Sequence, residues 1–374
     1  MEFVDLKAQY NALKKDIDAA IQDVLASGDY IMGKKVAELE ERLQEYTGRK
    51  YCITCANGTD ALSMVLLAWG IKGGDAVFVP SFSFIATAEV VSFCGAEPVF
   101  VDIDLDTFNI DADSLEKAIK EVISKGELNP KVVIPVDLFG LPADYEKIIP
   151  IAKKYGILVL EDGAQGFGGR LAGRNACGFG EASATSFFPA KPLGCYGDGG
   201  AIFTDDEKLY SDLSSIRVHG KGKDKYNNIR TGLNSRLDTL QAAILLVKLK
   251  AFTEYELLNR QKIAELYTSQ LGDFVRTPVI PDKFSSSYAQ YTILLDNEEK
   301  RSVVQTKLRE NNIPSMIYYP LPLHLQPAFG HLEYTEGCLP NSEKASKCVL
   351  SLPMHPYLNE HEIKTTAEVI SSIK

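Results

Sequence analysis

The chain has 374 residues, 45% of them hydrophobic and 24% charged, with a formal net charge of −10 at pH 7. That is the composition of an ordinary globular protein, and at roughly 100–200 residues per domain it holds about two domains. The acidic balance argues against nucleic acid as a main partner, and no apolar stretch approaches the ~20 residues of a membrane span.

Met1 to Asp5 is polar at once and shows no charged-then-apolar signal pattern, so a cytoplasmic protein with no membrane partner is expected. Val36 to Tyr46 has helical spacing, Tyr51 to Cys55 reads as a strand, and Thr59 to Trp69 as a helix. Ala76 to Pro80 (strand), Ala86 to Phe93 (helix) and Pro98 to Ile103 (strand) continue the alternation. Lys131 to Val136 and Ile157 to Glu161 are continuous apolar runs, the pattern of strands buried on both faces, with a crossover helix from Tyr145 to Lys154 between them. Such alternation predicts an α/β protein with a mainly parallel sheet covered by helices.

Leu240 to Phe252 is a strong helix pattern, and another helix follows through Tyr267. The texture then changes. Tyr288 to Leu295 and Ser315 to Tyr319 read as strands, Lys300 to Asn311 and Glu360 to Ser372 as helices, and Pro320 to Pro327 is rich in proline. The expected division is a large domain over 1–252, with an N-terminal helix, and a smaller C-terminal α+β domain over 253–374.

Seven scattered cysteines do not form a disulfide framework. Cys52 and Cys55 make a C-x-x-C inside an apolar strand, where free cysteine acts as a small hydrophobe. His219, His331, His355 and His361 have no metal-ligand spacing, so no metal is expected. The glycine-rich stretches at Gly166, Gly178 and Gly197 lack the strand–glycines–helix order of a dinucleotide site, and no P-loop occurs.

Three features can carry chemistry. Asn57-Gly58-Thr59-Asp60-Ala61-Leu62 joins a strand to a helix, which is either an anion cradle at free N–H groups or a plain capped turn. Glu161-Asp162 ends an apolar strand, at the sheet edge where open α/β folds bind ligands; Asp162 is a counter-ion for a cation there or a helix cap. Lys191, in Thr185 to Gly194, is set among apolar and small residues, where a lysine either has its pKa lowered and becomes nucleophilic toward aldehydes or is a plain structural residue.

Together these pieces resemble the DegT/DnrJ/StrS sugar aminotransferase family, within fold type I of the pyridoxal-phosphate enzymes. The likeness runs from Phe3-Val4-Asp5-Leu6-Lys7 to Leu352-Pro353-Met354-His355-Pro356-Tyr357. It rests on Asn57 to Leu62, Phe82 to Thr87, Glu161 to Gln165, Ser186 to Lys191 and Asn234 to Asp238, in the family's order. The nearest branch is the WbpE-like enzymes that aminate the 3-position of UDP-3-keto sugars.

The resemblance implies a seven-stranded, mainly parallel large domain and pyridoxal 5'-phosphate as cofactor, with pyridoxamine phosphate formed during turnover. It makes Lys191 the Schiff-base lysine and pairs Asp162 with the pyridine nitrogen. Gln165 then reaches the ring hydroxyl, Ala164 packs beneath the ring and Phe84 stacks above it. Gly58, Thr59 and Ser186 take the phosphate, with Asn234 crossing from a second subunit, so a homodimer with shared sites is implied. Arg236, Tyr318, Tyr319 and His324 are the candidates for the sugar nucleotide, Lys225 and Tyr226 for its phosphates, and glutamate is the implied donor. Uronate-specific members of the branch carry histidine at the position of Tyr318, which leaves open whether the sugar bears a carboxylate. Two other readings stand beside this one. A sugar dehydratase of the family replaces the lysine with histidine, and a non-catalytic regulatory member loses part of the lysine, aspartate and phosphate set; this chain retains all three.

Overall fold

The computed structural model describes residues 1–224 and 226–373. Two helices open the chain, α1 (Leu6–Ser27) and α2 (Lys34–Thr47). Alternation follows: β1 (Tyr51–Cys55), α3 (Gly58–Ala68), β2 (Asp75–Pro80), α4 (Ala86–Phe93), β3 (Glu97–Val101), α5 (Ala112–Lys125), β4 (Asn129–Val133), α6 (Tyr145–Tyr155) and β5 (Leu158–Asp162). A short ribbon, β6 (Arg170–Leu171) and β7 (Arg174–Asn175), precedes β8 (Ala182–Ser186), β9 (Gly200–Thr204) and α7 (Glu207–Ile216).

Seven strands form one sheet in the order β1-β9-β8-β5-β4-β2-β3. Strand β9 is antiparallel to both its neighbours and the other pairs are parallel. Side chains alternate between the two faces. Val77 and Val79 join the core under α3, α4 and α7, whereas Ala76 and Phe78 join the core under α5 and α6. Cys52 and Cys55 likewise fall on opposite faces, so the C-x-x-C pair does not converge. Burial raises the Cys55 thiol to about 12.

Helix α8 (Thr239–Ala251) lies on the β1–β9 side with α2, where Leu39, Leu43 and Leu245 are buried. Each such leucine contributes roughly 1.5–3 kcal/mol on burial. Helix α8 passes through a π turn, Phe252–Glu256, into α9 (Leu257–Leu271) without a break, so the expected boundary at Phe252 lies inside continuous helix. The remaining strands and α-helices are β10 (Phe284–Ser285), β11 (Tyr291–Leu294), α10 (Glu298–Glu310), α11 (Pro340–Cys348), β12 (Val349–Leu352) and α12 (Glu360–Ser371). Strands β11 and β12 pair antiparallel beneath α9, α10 and α12, forming a second core.

One expectation fails here. Ser315 to Tyr319 is not a strand; Met316 makes a single bridge to Ser351, and Pro314 and Pro320 close the segment at both ends. A proline lacks the N–H that a longer ladder needs. Two segments cross back to the first part of the chain. Strand β10 pairs with β6, and Leu323 and Phe329 pack into the core under α3 and α4.

Candidate active site

Strands β1, β2, β5 and β8 all point their carboxyl ends to one edge of the sheet, the edge where open α/β sheets bind ligands. A cleft of about 680 Å³ opens there. It is lined at one end by Gly58, Thr59 and Ser186, in the middle by Asp162, Ala164 and Lys191, and at the other end by Gln165, Tyr318 and Tyr319, with Phe84 on its rim. Motifs far apart in sequence therefore meet because each follows or ends a parallel strand.

At the first end, the Asn57 side chain caps α3 by accepting the Asp60 N–H at 2.7 Å. The N–H groups of Gly58 and Thr59, in the first turn, have no i−4 carbonyl to bond. A Cβ on Gly58 would stand 2.8 Å from the Ser186 Cβ, so only glycine lets α3 start against the end of β8. This makes a narrow cradle of N–H and hydroxyl donors at a helix N-terminus, suited to a phosphate.

In the middle, Asp162 is buried. Burial pushes its carboxyl up. The Thr87 hydroxyl, donating at 2.8 Å, the Ala164 N–H at 3.2 Å and the Lys191 charge act against that. Burial conversely pushes Lys191 down, opposed by the Asp162 charge. Lys191 makes no ion pair within 4 Å among the described residues, so its amine is uncommitted. At the far end the Gln165 side chain accepts the Phe139 N–H at 2.8 Å and donates to the Tyr319 hydroxyl at 3.0 Å. Phe84 is 54% exposed, and its ring lies 6.2 Å from that of Tyr319. A large apolar ring left open on a cleft is ready to cover a flat ligand.

These features fit pyridoxal phosphate. The cradle would accept the phosphate, and the buried Asp162 carboxylate would meet a cationic ring nitrogen. The unpaired Lys191 amine would meet the aldehyde.

Thr87 is a residue that the sequence reading did not single out, although it closes the Phe82 to Thr87 motif. Gln290 also lines the cleft, and no motif signals it. Asn234 and Arg236 lie outside the lining of this chain's cleft. Asn234 is exposed, although its neighbour Ser235 is buried and accepts the Ala56 N–H at 3.1 Å. Lys225 lies outside the described residues, and Tyr226 is 85% exposed.

His324 departs from its expected place at the substrate mouth. Its ring is buried, with Nδ1 2.6 Å from the Ser81 hydroxyl and Nε2 3.2 Å from Glu343. Burial lowers its pKa. The imidazole fastens the proline-rich stretch to the end of β2 and does not line the cleft. A histidine amid prolines reads as surface in sequence, but two long-range partners draw this one inside.

Residues 11–373 match the DegT/DnrJ/EryC1/StrS aminotransferase family. UDP-2-acetamido-2-deoxy-3-oxo-D-glucuronate aminotransferase from Pseudomonas aeruginosa is 48% identical over 373 residues, covering 100% of both chains. Among solved structures, a DegT DnrJ EryC1 StrS aminotransferase from Brucella abortus is 50% identical with a TM-score of 0.96, over 100% of this chain and 99% of that one. NtdA from Bacillus subtilis, solved with bound cofactor PMP, is 31% identical with a TM-score of 0.90, over 100% of this chain and 84% of that one.

Proposed function

The chain belongs to the DegT/DnrJ/EryC1/StrS aminotransferase family, and we propose that it moves an amino group from glutamate to the 3-keto carbon of a UDP- or dTDP-linked sugar. It is a pyridoxal-phosphate-dependent enzyme. The observation that carries the reading is the meeting of Lys191 and Asp162 in one cleft, next to an anion cradle. Relatives that act on 3-oxo nucleotide sugars support position 3.

Bound pyridoxal phosphate supplies an aldehyde for the incoming amine and a cationic ring that stores an electron pair. Asp162 holds that ring charged, because a buried carboxylate gains from a cation beside it. The Thr87 hydroxyl and the Ala164 N–H keep the carboxylate oriented. Gly58, Thr59 and Ser186 would hold the phosphate. Ala164 and Phe84 would lie against the ring. Gln165 offers its second amide hydrogen to the ring hydroxyl, the first being given to Tyr319. Lys191 moves the proton: its amine takes one from the α carbon of glutamate and later delivers one to C3 of the sugar. Burial favours the neutral amine, the form that acts as a base.

The working unit in this proposal is a homodimer with shared sites. Asn234 is exposed outside its own cleft, and Lys191 is the one cation lining that cleft among the described residues. Phosphate-bearing ligands then draw further cations, Arg236 among them, from a second copy. Tyr30, Ile31, Met32 and Phe188 are large apolar side chains left exposed, as an interface requires. No helix among the described residues is long and apolar enough to cross a membrane. We place the enzyme in the cytoplasm, making amino sugars for surface polysaccharide or glycan assembly; its seven unpaired cysteines suit a reducing compartment.

The test is an absorbance spectrum of the purified protein before and after glutamate, followed by UDP- and dTDP-linked keto sugars. A visible band that glutamate bleaches and a keto sugar restores supports both half-reactions. A cofactor-loaded sample that glutamate leaves unchanged rules out glutamate as donor.

A further inference from the structure

Most polar side chains in the cleft are already engaged. Thr87 donates to Asp162, and Ser83 pairs with Thr87 at 3.1 Å. Asn57 caps α3, and Ser186 accepts the Phe188 N–H at 3.2 Å. Gln165 is held by Phe139 and Tyr319. Gln290 is different. It lines the cleft, its Oε1 is buried without a donor, and its carboxamide makes no hydrogen bond among the described residues. A buried acceptor with no partner is uncommon and carries a desolvation penalty.

The backbone around Gln290 is fixed. Its N–H donates to the Phe139 carbonyl at 3.4 Å, and the Ser287 N–H donates to the Gly140 carbonyl at 2.9 Å. Gly140, at φ +104, has no room for a Cβ beside Ser287, Tyr288 and Ala289. Phe139 also donates to Gln165, so one residue ties Gln290 to the Gln165–Tyr319 end of the cleft. The side chain is half-buried, and its terminal torsion is soft.

We propose that Gln290 is a specificity-determining residue for the sugar half-reaction: its carboxamide reads a neutral group beside the reacting carbonyl, a hydroxyl or an acylamino substituent. The proposal rests on the keto-sugar reading above. A carboxamide both donates and accepts and carries no charge, so it matches a group that does the same. A carboxylate in that position calls for a cation instead. An apolar ring carbon bearing no substituent leaves the amide unpaired, and sites built around a hydrogen bond discriminate strongly against analogues that lack it.

The test uses the cofactor-loaded enzyme and its Gln290→Leu and Gln290→Glu variants. Each half-reaction is followed separately, with glutamate and then with UDP-linked 3-keto sugars bearing 2-acetamido, 2-hydroxyl or no 2-substituent. In Gln290→Leu the glutamate half-reaction stays within about twofold of wild type. The kcat/KM for the substituted sugars falls about 10- to 100-fold, mostly through KM, while the 2-deoxy sugar is unaffected. Gln290→Glu keeps the side chain's shape and its acceptor while losing the donor; with the cofactor spectrum intact it retains part of the preference for the substituted sugars that Gln290→Leu loses, which guards against a packing artefact. A parallel fall in both half-reactions, or an unchanged preference among the three sugars, overturns the proposal. A wild-type enzyme that completes the glutamate step yet accepts no nucleotide-linked keto sugar overturns the keto-sugar reading itself.

Discussion

Asp137 and Glu161 lie against each other with neither carboxyl exposed to solvent, directly behind Asp162. The Asp137 N–H donates to the Asp162 carbonyl at 3.0 Å, so the pair braces the strand end that presents Asp162. Asp137 Oδ1 accepts from the Ala143 N–H at 2.9 Å and the Tyr145 hydroxyl at 2.8 Å, whereas Oδ2 has no donor. Glu161 accepts the N–H groups of Cys177 and Phe179. Two carboxylates cannot both stay charged in so dry a place; a proton on Asp137 Oδ2, donated to Glu161, resolves the conflict.

A pH dependence follows. Burial and the Glu161 charge hold Asp137 well above the ordinary carboxylate range. The folded protein keeps a proton that the unfolded chain releases above about pH 4. Stability from this pair is therefore lost as pH rises from there toward the folded value, by up to about 1.4 kcal/mol per pH unit. Asp137→Asn supplies the same donor without a titrating proton. Thermal melts between pH 5 and 8 should show a flatter profile for the variant and higher stability at the upper end. Parallel wild-type and variant curves would rule out the shared proton.

The sequence made the cofactor end of the cleft legible because each of its parts is local. Asn57 to Asp60 is a turn, Asp162 ends a strand and Lys191 sits in a single loop, so adjacent residues define each role. The opposite end is assembled from distant segments. Gln290 precedes β11 and is held at the cleft by the Phe139 carbonyl, far earlier in the chain, and nothing periodic marks it. His324 misleads for the same reason: Ser81 and Glu343, its partners, are invisible from the proline-rich stretch around it. The strand expected at Ser315 to Tyr319 has β-branched and aromatic residues, but its flanking prolines reduce it to one bridge.

Lys191→Ala removes the amine that moves the proton while leaving the backbone of its loop unchanged. Turnover should fall by at least about 10³-fold, since both nucleophile and base are lost together. Circular dichroism and the melting temperature should stay close to wild type, because the wild-type amine makes no ion pair that the fold relies on. A variant with near-normal steady-state rates would remove Lys191 from the chemistry.

Thr87→Val keeps the shape of the side chain and deletes one hydrogen bond to the buried Asp162 carboxylate. A hydrogen bond to a charged group is worth about 1.5–3 kcal/mol, so pyridoxal phosphate should bind roughly 10- to 100-fold more weakly. Fluorescence titration of the apoprotein measures this directly. Asp162, with one stabiliser of its charge gone, should also have a higher pKa in the variant. An unchanged dissociation constant would mean that the Ala164 N–H alone orients the carboxylate.

Asn234 discriminates between a self-contained site and a shared one. Within its own chain it is exposed and does not line the cleft, so Asn234→Ala should leave the monomer fold untouched. If it reaches the phosphate in a second copy, Asn234→Ala homodimers should lose cofactor on dilution. Mixing them with Lys191→Ala chains then gives a decisive pattern. In a hybrid dimer, one site combines an intact Lys191 with an Asn234 contributed by the other chain, and the second site lacks both. Half of the hybrid's sites should recover activity and cofactor retention. Were Asn234 to act within its own chain, neither site of the hybrid would have both residues, and mixing the two variants would restore nothing.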